Sequence, residues 1–197
     1  MQLNSTSFPR RLMKSISEPI ARKANAEDKV TGRFWEGCFG CQALLSEKSI
    51  LAAMTYVDLN SVRAKIASSI STSRYTSVKV RNQQLSKNPE RANLPLMPLV
   101  GVCSFNLPGI SQADYIELVD FTGRELHPSK HGKIDASEPK ALTILGLDKN
   151  HWTTRVKGIG SSYWRVVGEL EELIDKAKEI SQRTLFGIGF ARIFNKI

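Results

Sequence analysis

Between residues 86 and 98 the chain carries Pro89, Pro95 and Pro98. Proline lacks the amide hydrogen that a helix interior or a central strand requires, so this run must connect elements rather than sit inside one. It places a linker at 86–98, with a domain before it at 1–85 and another after it at 99–197. The charge divides close to the same point. Residues 1–93 hold 15 Lys and Arg against 7 Asp and Glu, while residues 94–197 hold 13 against 12, so nearly all of the net +9 belongs to the N-terminal half. Lys and Arg gathered in one region neutralise phosphates and release their counterions, which gives affinity for nucleic acid without regard to sequence.

Hydrophobic residues make up 41% of the 197 and charged residues 24%, close to the globular average, which argues against fibrous or wholly disordered architecture. No apolar run approaches the ~20 residues of a membrane span, and no apolar signal core follows Met1. The expectation is a cytoplasmic protein that does not enter a membrane. Three cysteines cannot all pair with one another, and in a reducing compartment no disulfide is expected.

Local patterns predict a mixed first half and a helical second half. Leu12, Ile16 and Ile20 mark an amphipathic helix over 8–24 that Pro19 would kink. Residues 32–45, with Phe34, Trp35, Phe39 and Leu44 among glycines, predict a strand or short hairpin turning near Gly37 to Gly40. Ser46 and Glu47 open a helix to Leu59 with an apolar stripe of Ile50, Met54 and Val57, and Tyr56 and Asn60 lie one turn apart on a neighbouring face. A helical turn follows at 62–66, then a serine-rich loop at 68–73 and a helix over 76–84. Beyond the prolines, Ser111 and Asp114 start a helix that Phe121 ends and Gly123 closes. Further helices are predicted at 139–145, stopped by Gly146, at 149–157, and over 162–185 with the stripe Trp164, Val167, Leu170, Ile174, Ala177 and Ile180.

Two neighbouring stretches resemble the REP-associated tyrosine transposases and other single-tyrosine transposases of insertion sequences. One is Thr31-Gly32-Arg33-Phe34-Trp35-Glu36-Gly37 with Gln42-Ala43-Leu44-Leu45. The other is Ala53-Met54-Thr55-Tyr56-Val57-Asp58-Leu59-Asn60-Ser61-Val62-Arg63-Ala64. Glu18-Pro19-Ile20-Ala21-Arg22 and Asp114-Tyr115-Ile116-Glu117-Leu118-Val119-Asp120 with Thr122-Gly123-Arg124 also look like longer members of the group. The resemblance implies an α+β, mostly helical fragment, the remnant of a ferredoxin-like transposase domain (helix, hairpin, nucleophile helix) followed by a helical C-terminal region. It also implies an activity, in which a tyrosine hydroxyl attacks single-stranded DNA, forms a 5′-phosphotyrosine link and is displaced by a 3′-hydroxyl.

By that resemblance Tyr56 is the nucleophile and Asn60 a ligand of Mg²⁺ or Mn²⁺, whose task is to polarise the scissile phosphate. Arg33, Arg63, Lys65 and Arg74 are the DNA-contacting candidates. The family completes its metal site with a His-apolar-His strand before the tyrosine. Here the histidines are His127, His131 and His151, none of them in such a triplet, so the chain is expected to begin partway through the domain, to bind no metal alone and to be catalytically silent. Ser61 replaces the family's usual proline, Cys38 its arginine and Gly40 a common basic residue.

Plainer readings stand beside these. Tyr56 is also a tyrosine flanking a core stripe, and Asn60 a helix C-cap. Cys38 and Cys41 have the spacing of half a zinc knuckle but lack the other half, and His127 and His131 fit a solvated loop. Trp35 and Phe34 could stack on bases or pack in a core. Single-stranded or hairpin DNA is the expected partner, along with a possible homo-oligomer or an intact transposase. The alternatives to a truncated transposase are a silent DNA-binding regulator and a protein-interaction fragment.

Overall fold

The structure, a computed structural model, describes residues 7–37, 39–96, 109–126, 138–161 and 165–194. It is mostly helical, with one small parallel sheet among the described residues. The chain divides between Cys41 and Gln42 into two compact units.

In the first unit α1 runs unbroken over Ser7–Asp28 with Pro19 inside it. The proline removes one intrahelical hydrogen bond but does not end the helix, and the Glu18–Arg22 ion pair spans that turn. Leu12, Ile16 and Ile20 form the predicted stripe yet stay close to half exposed. The helix ends in a left-handed Lys29, where the amide of Val30 returns to the carbonyl of Asn25. Trp35 then donates its indole N–H to the carbonyl of Ser17 at 3.0 Å, and its ring meets Phe34 edge to face at 4.8 Å. The aromatic pair therefore lies against α1 rather than in a strand.

No hairpin forms among the described residues of 32–45. Its one strand, β1 at Ala43–Leu44, pairs in parallel with β2 at Val166–Val167. A parallel partner so far along the chain leaves no trace in local alternation, which is why a turn and a neighbouring strand were expected instead.

The second unit holds the remaining elements: α2 Glu47–Asp58, α3 Asn60–Arg63, α4 Ser77–Lys87, a 3₁₀ turn at Pro89–Asn93, α5 Gln112–Leu126, α6 Lys140–Leu145, α7 Lys149–Gly158, α8 Leu170–Glu179 and α9 Ile188–Phe194. Ser46 caps α2 as predicted, its hydroxyl accepting from the amide of Ser49. Gly146 ends α6 in the left-handed conformation, and Asp148 caps α7.

Three helical expectations change. The buried face of α2 carries Leu51, Ala52, Thr55 and Asp58, whereas Val57 is 65% exposed, so the helix is turned away from the predicted Ile50, Met54, Val57 stripe. Gly123 does not close α5 but lies inside it, where a side-chain carbon would come within 3.0 Å of Leu59. Its role is close helix packing. The predicted helix over 162–185 is instead β2 followed by α8, which Glu169 and Glu172 start with a reciprocal capping box. Residues 162–164 lie outside the described part.

The main core joins Leu51 and Leu59 of the α2–α3 segment, Val78 of α4, Tyr115 and Leu118 of α5, Leu142 of α6, and Trp152 and Val156 of α7. A smaller one gathers Val166, Leu173, Ala177, Leu185, Ile188 and Ala191. Helices from both sides of residues 86–98 thus share one core, and the domain boundary expected there is not where the contacts divide. Leu94 and Leu96 explain the difference. Their backbones bond to Gln112 and Ile110, which ties this proline-bearing segment to the start of α5.

Candidate functional site

Tyr56 projects from α2 and is half-buried beside the main core. Its hydroxyl rests on Gly160, at which a side-chain carbon would stand 2.3 Å from the phenolic oxygen. Only glycine suits that position, because its φ of +77° is also left-handed. Gln42 holds the segment in place: its side-chain oxygen accepts from the Gly160 amide at 2.9 Å and its amide group donates to the carbonyl of Gly158 at 3.1 Å. Over the tyrosine ring lies the Arg63 guanidinium, 4.2 Å from the centroid. Arg63, not Asn60, is the motif residue that covers the ring, a contact of the cation–π kind.

This packing gives a direct test. Gly160→Ala should push the phenol outward and strain the backbone, lowering stability by about 1–2 kcal/mol. Nitration of Tyr56, followed by peptide mass spectrometry, should then rise relative to the wild type. Unchanged nitration would mean that the hydroxyl does not rest on Gly160.

Asn60 is exposed and opens α3 with right-handed geometry before it at Leu59, so it is not the left-handed C-cap considered above. Among the described residues no three His, Cys, Asp or Glu side chains converge as metal ligands. His127 and His131 lie outside the described part. His151 accepts a hydrogen bond from Arg155. A lone exposed carboxamide does not make a site for Mg²⁺ or Mn²⁺, and the described residues do not fit that role. Cys41 is exposed, while Cys38 lies outside the described part.

The basic candidates fall in both units. Arg33 is exposed in the first; Arg63, Lys65 and Arg74 are exposed in the second. From Leu59 to Asn88 the sequence has six basic residues, Arg63, Lys65, Arg74, Lys79, Arg81 and Lys87, and no Asp or Glu. Two hydrogen-bonded contacts draw this stretch together. Ser61 of α3 meets Ser73 hydroxyl to hydroxyl at 2.6 Å, and Asp58 at the end of α2 accepts from Ser77 and from the amide of Val78 at the start of α4.

Asp58 is itself buried and takes a further hydrogen bond from the Tyr115 hydroxyl at 2.7 Å. Burial first, and then the adjacent carboxylate, push the Tyr115 phenol well above the ordinary tyrosine value. Tyr115 is wholly buried, so this pair joins helices and does not meet solvent. A second buried polar group lies at α7. Arg155, only 3% exposed, donates to Glu169 at 2.7 Å and to the ring nitrogen of His151 at 3.1 Å.

Sequence reasoning missed Asp58, Gln42 and Glu169 as structural pivots. Gln42 and Asp58 stand inside the family-like motifs, and Glu169 with Glu172 has capping-box spacing, so each left a readable signal. No family model, curated protein or solved structure matches the chain.

Proposed function

We propose that this protein is a transposase-like DNA-binding protein, related to enzymes that cut and rejoin single-stranded DNA through a tyrosine, and that it binds DNA without cutting it. The ferredoxin-like ancestry rests on the two motif stretches. The binding reading is carried by one observation: the thirty residues that follow the motif helix, from Leu59 to Asn88, hold six basic residues and no acid. Exposed Arg63, Lys65 and Arg74 stand ready to neutralise phosphates in that stretch. A silent tyrosine is supported by the hydroxyl's rest on Gly160.

Anisotropy of labelled hairpin and unstructured oligonucleotides across a salt series tests the binding. Three to four phosphate contacts predict a slope of log affinity on log salt of roughly −2 to −3 for single strands. Absence of binding at low salt would overturn the proposal. In Mn²⁺ neither the wild type nor Tyr56→Phe should form a covalent DNA adduct, and an adduct lost in Tyr56→Phe would show that the tyrosine is active after all.

A further inference from the structure

Four residues other than glycine take a left-handed backbone among those described: Lys29, Lys65, Tyr75 and Ser181. Three have an ordinary cause. Lys29, Lys65 and Ser181 each follow a helix whose end they close, with the next amide returning to a carbonyl five residues earlier, as Val30 to Asn25, Ile66 to Ser61 and Gln182 to Ala177. Tyr75 does not end a helix. It sits two residues before α4 at φ +62°, and it is fully exposed.

That combination is costly, and the ring itself gains no burial in return. A left-handed residue with a side chain loses roughly 1–2 kcal/mol against the right-handed form, and a fully exposed ring recovers none of it by burial. Glycine or asparagine would suit the turn better. Both shoulders of the turn are nonetheless fixed. Ser73, wholly buried, is bonded to Ser61, and the Thr76 hydroxyl donates to the Ser73 carbonyl at 3.1 Å. On the other side Ser77 and Val78 bond to Asp58. An aromatic ring is thus held out on a braced turn, beside exposed Arg74 and within the stretch that has no acid.

We propose that Tyr75 is a stacking platform for an unpaired base of single-stranded DNA, with Arg74 contacting an adjacent phosphate. Every base offers a flat face to such a ring, so the contact tolerates sequence, and a braced turn limits the entropy lost when the base arrives. The inference rests on the DNA-binding reading above and assigns it a contact away from Tyr56 and Asn60.

The test is the affinity of the full chain for a labelled oligothymidylate. Tyr75→Ala should weaken binding by roughly 5- to 100-fold with the salt slope unchanged, while Tyr75→Phe, which keeps the ring, should stay within about twofold of the wild type. Arg74→Ala should instead flatten the slope by roughly 0.7. Tyr75→Gly should melt no lower than the wild type yet bind as poorly as Tyr75→Ala. If the wild type binds and Tyr75→Ala binds equally well, the stacking contact is wrong and the DNA-binding reading stands. A wild type that does not bind sinks both, and a Tyr75→Ala loss accompanied by a flatter slope or by loss in Tyr75→Phe would also overturn the stacking.

Discussion

Asp58→Ala should lower stability by about 3–4 kcal/mol, seen as a large fall in the urea midpoint with little change in slope. The carboxylate takes hydrogen bonds from the Ser77 hydroxyl, the Val78 amide and the Tyr115 hydroxyl. Removing it strands all three donors, and the last two are buried. A hydrogen bond in a protein is worth about 1 kcal/mol net, but a donor left dry costs its full desolvation, so the loss exceeds what three ordinary bonds would suggest. Tyr115→Phe removes one donor and one acceptor demand together and should cost no more than about 1.5 kcal/mol. Equal losses in the two variants would mean that Asp58 does not organise the cluster. Because Thr76 makes no side-chain cap on α4, Asp58 also serves as that helix's cap from outside, and Asp58→Asn should recover only part of the loss.

Glu169→Ala should be next in size, at about 2–4 kcal/mol. Glu169 pairs with Arg155, caps α8 and lies 3.9 Å from Lys48. Its side chain is a third exposed, so solvent screens the pair, but the Arg155 side chain is 3% exposed and would be left buried with its charge. The same cluster sets an acid limit. Burial and the Arg155 charge hold the His151 imidazole below the ordinary 6.5, against the opposing pull of Glu169 and Asp148. The unfolded chain therefore takes up that proton first, so stability from neutral His151 is complete above about pH 6.5 and is lost as pH falls below it. Burial alone would raise the Glu169 carboxyl, but the Arg155 hydrogen bond and charge outweigh it and hold the group below the ordinary 4.5. Its share is present above about pH 4.5 and goes as pH falls further. Urea midpoints should thus drop between pH 7 and pH 5 and drop again below it; a flat profile across both windows would contradict the cluster.

Helix starts and stops were legible because their causes are local. Ser46 and Gly146 act on atoms a few residues away, and the sequence shows them as plainly as the structure does. The faces of helices were less so. Counting apolar residues on α2 picked Val57 for the core, but the position inside is Asp58, admitted because donors from α4 and α5 meet it there. Such a partner set is long-range and cannot be inferred from spacing. Gly123 was read as a stop for the same reason, since the Leu59 side chain that requires it belongs to another helix. At the candidate site, the motif put Tyr56 and its exposed basic neighbours on one segment, whereas the Gly160 seat comes from a segment far along the chain. Tyr75 carried no signal at all, because exposure and a left-handed backbone are both invisible in a string of residues.

Ala43 faces Val166 in the sheet. A ribosome needs roughly 6–25 s to travel from one to the other. For most of that interval α2 is already made while β1 waits without its neighbour, and Gln42 has nothing to grip until Gly158 and Gly160 are added. The Tyr56 hydroxyl has no seat until Gly160 has been added, so that contact cannot form while the chain is shorter than this.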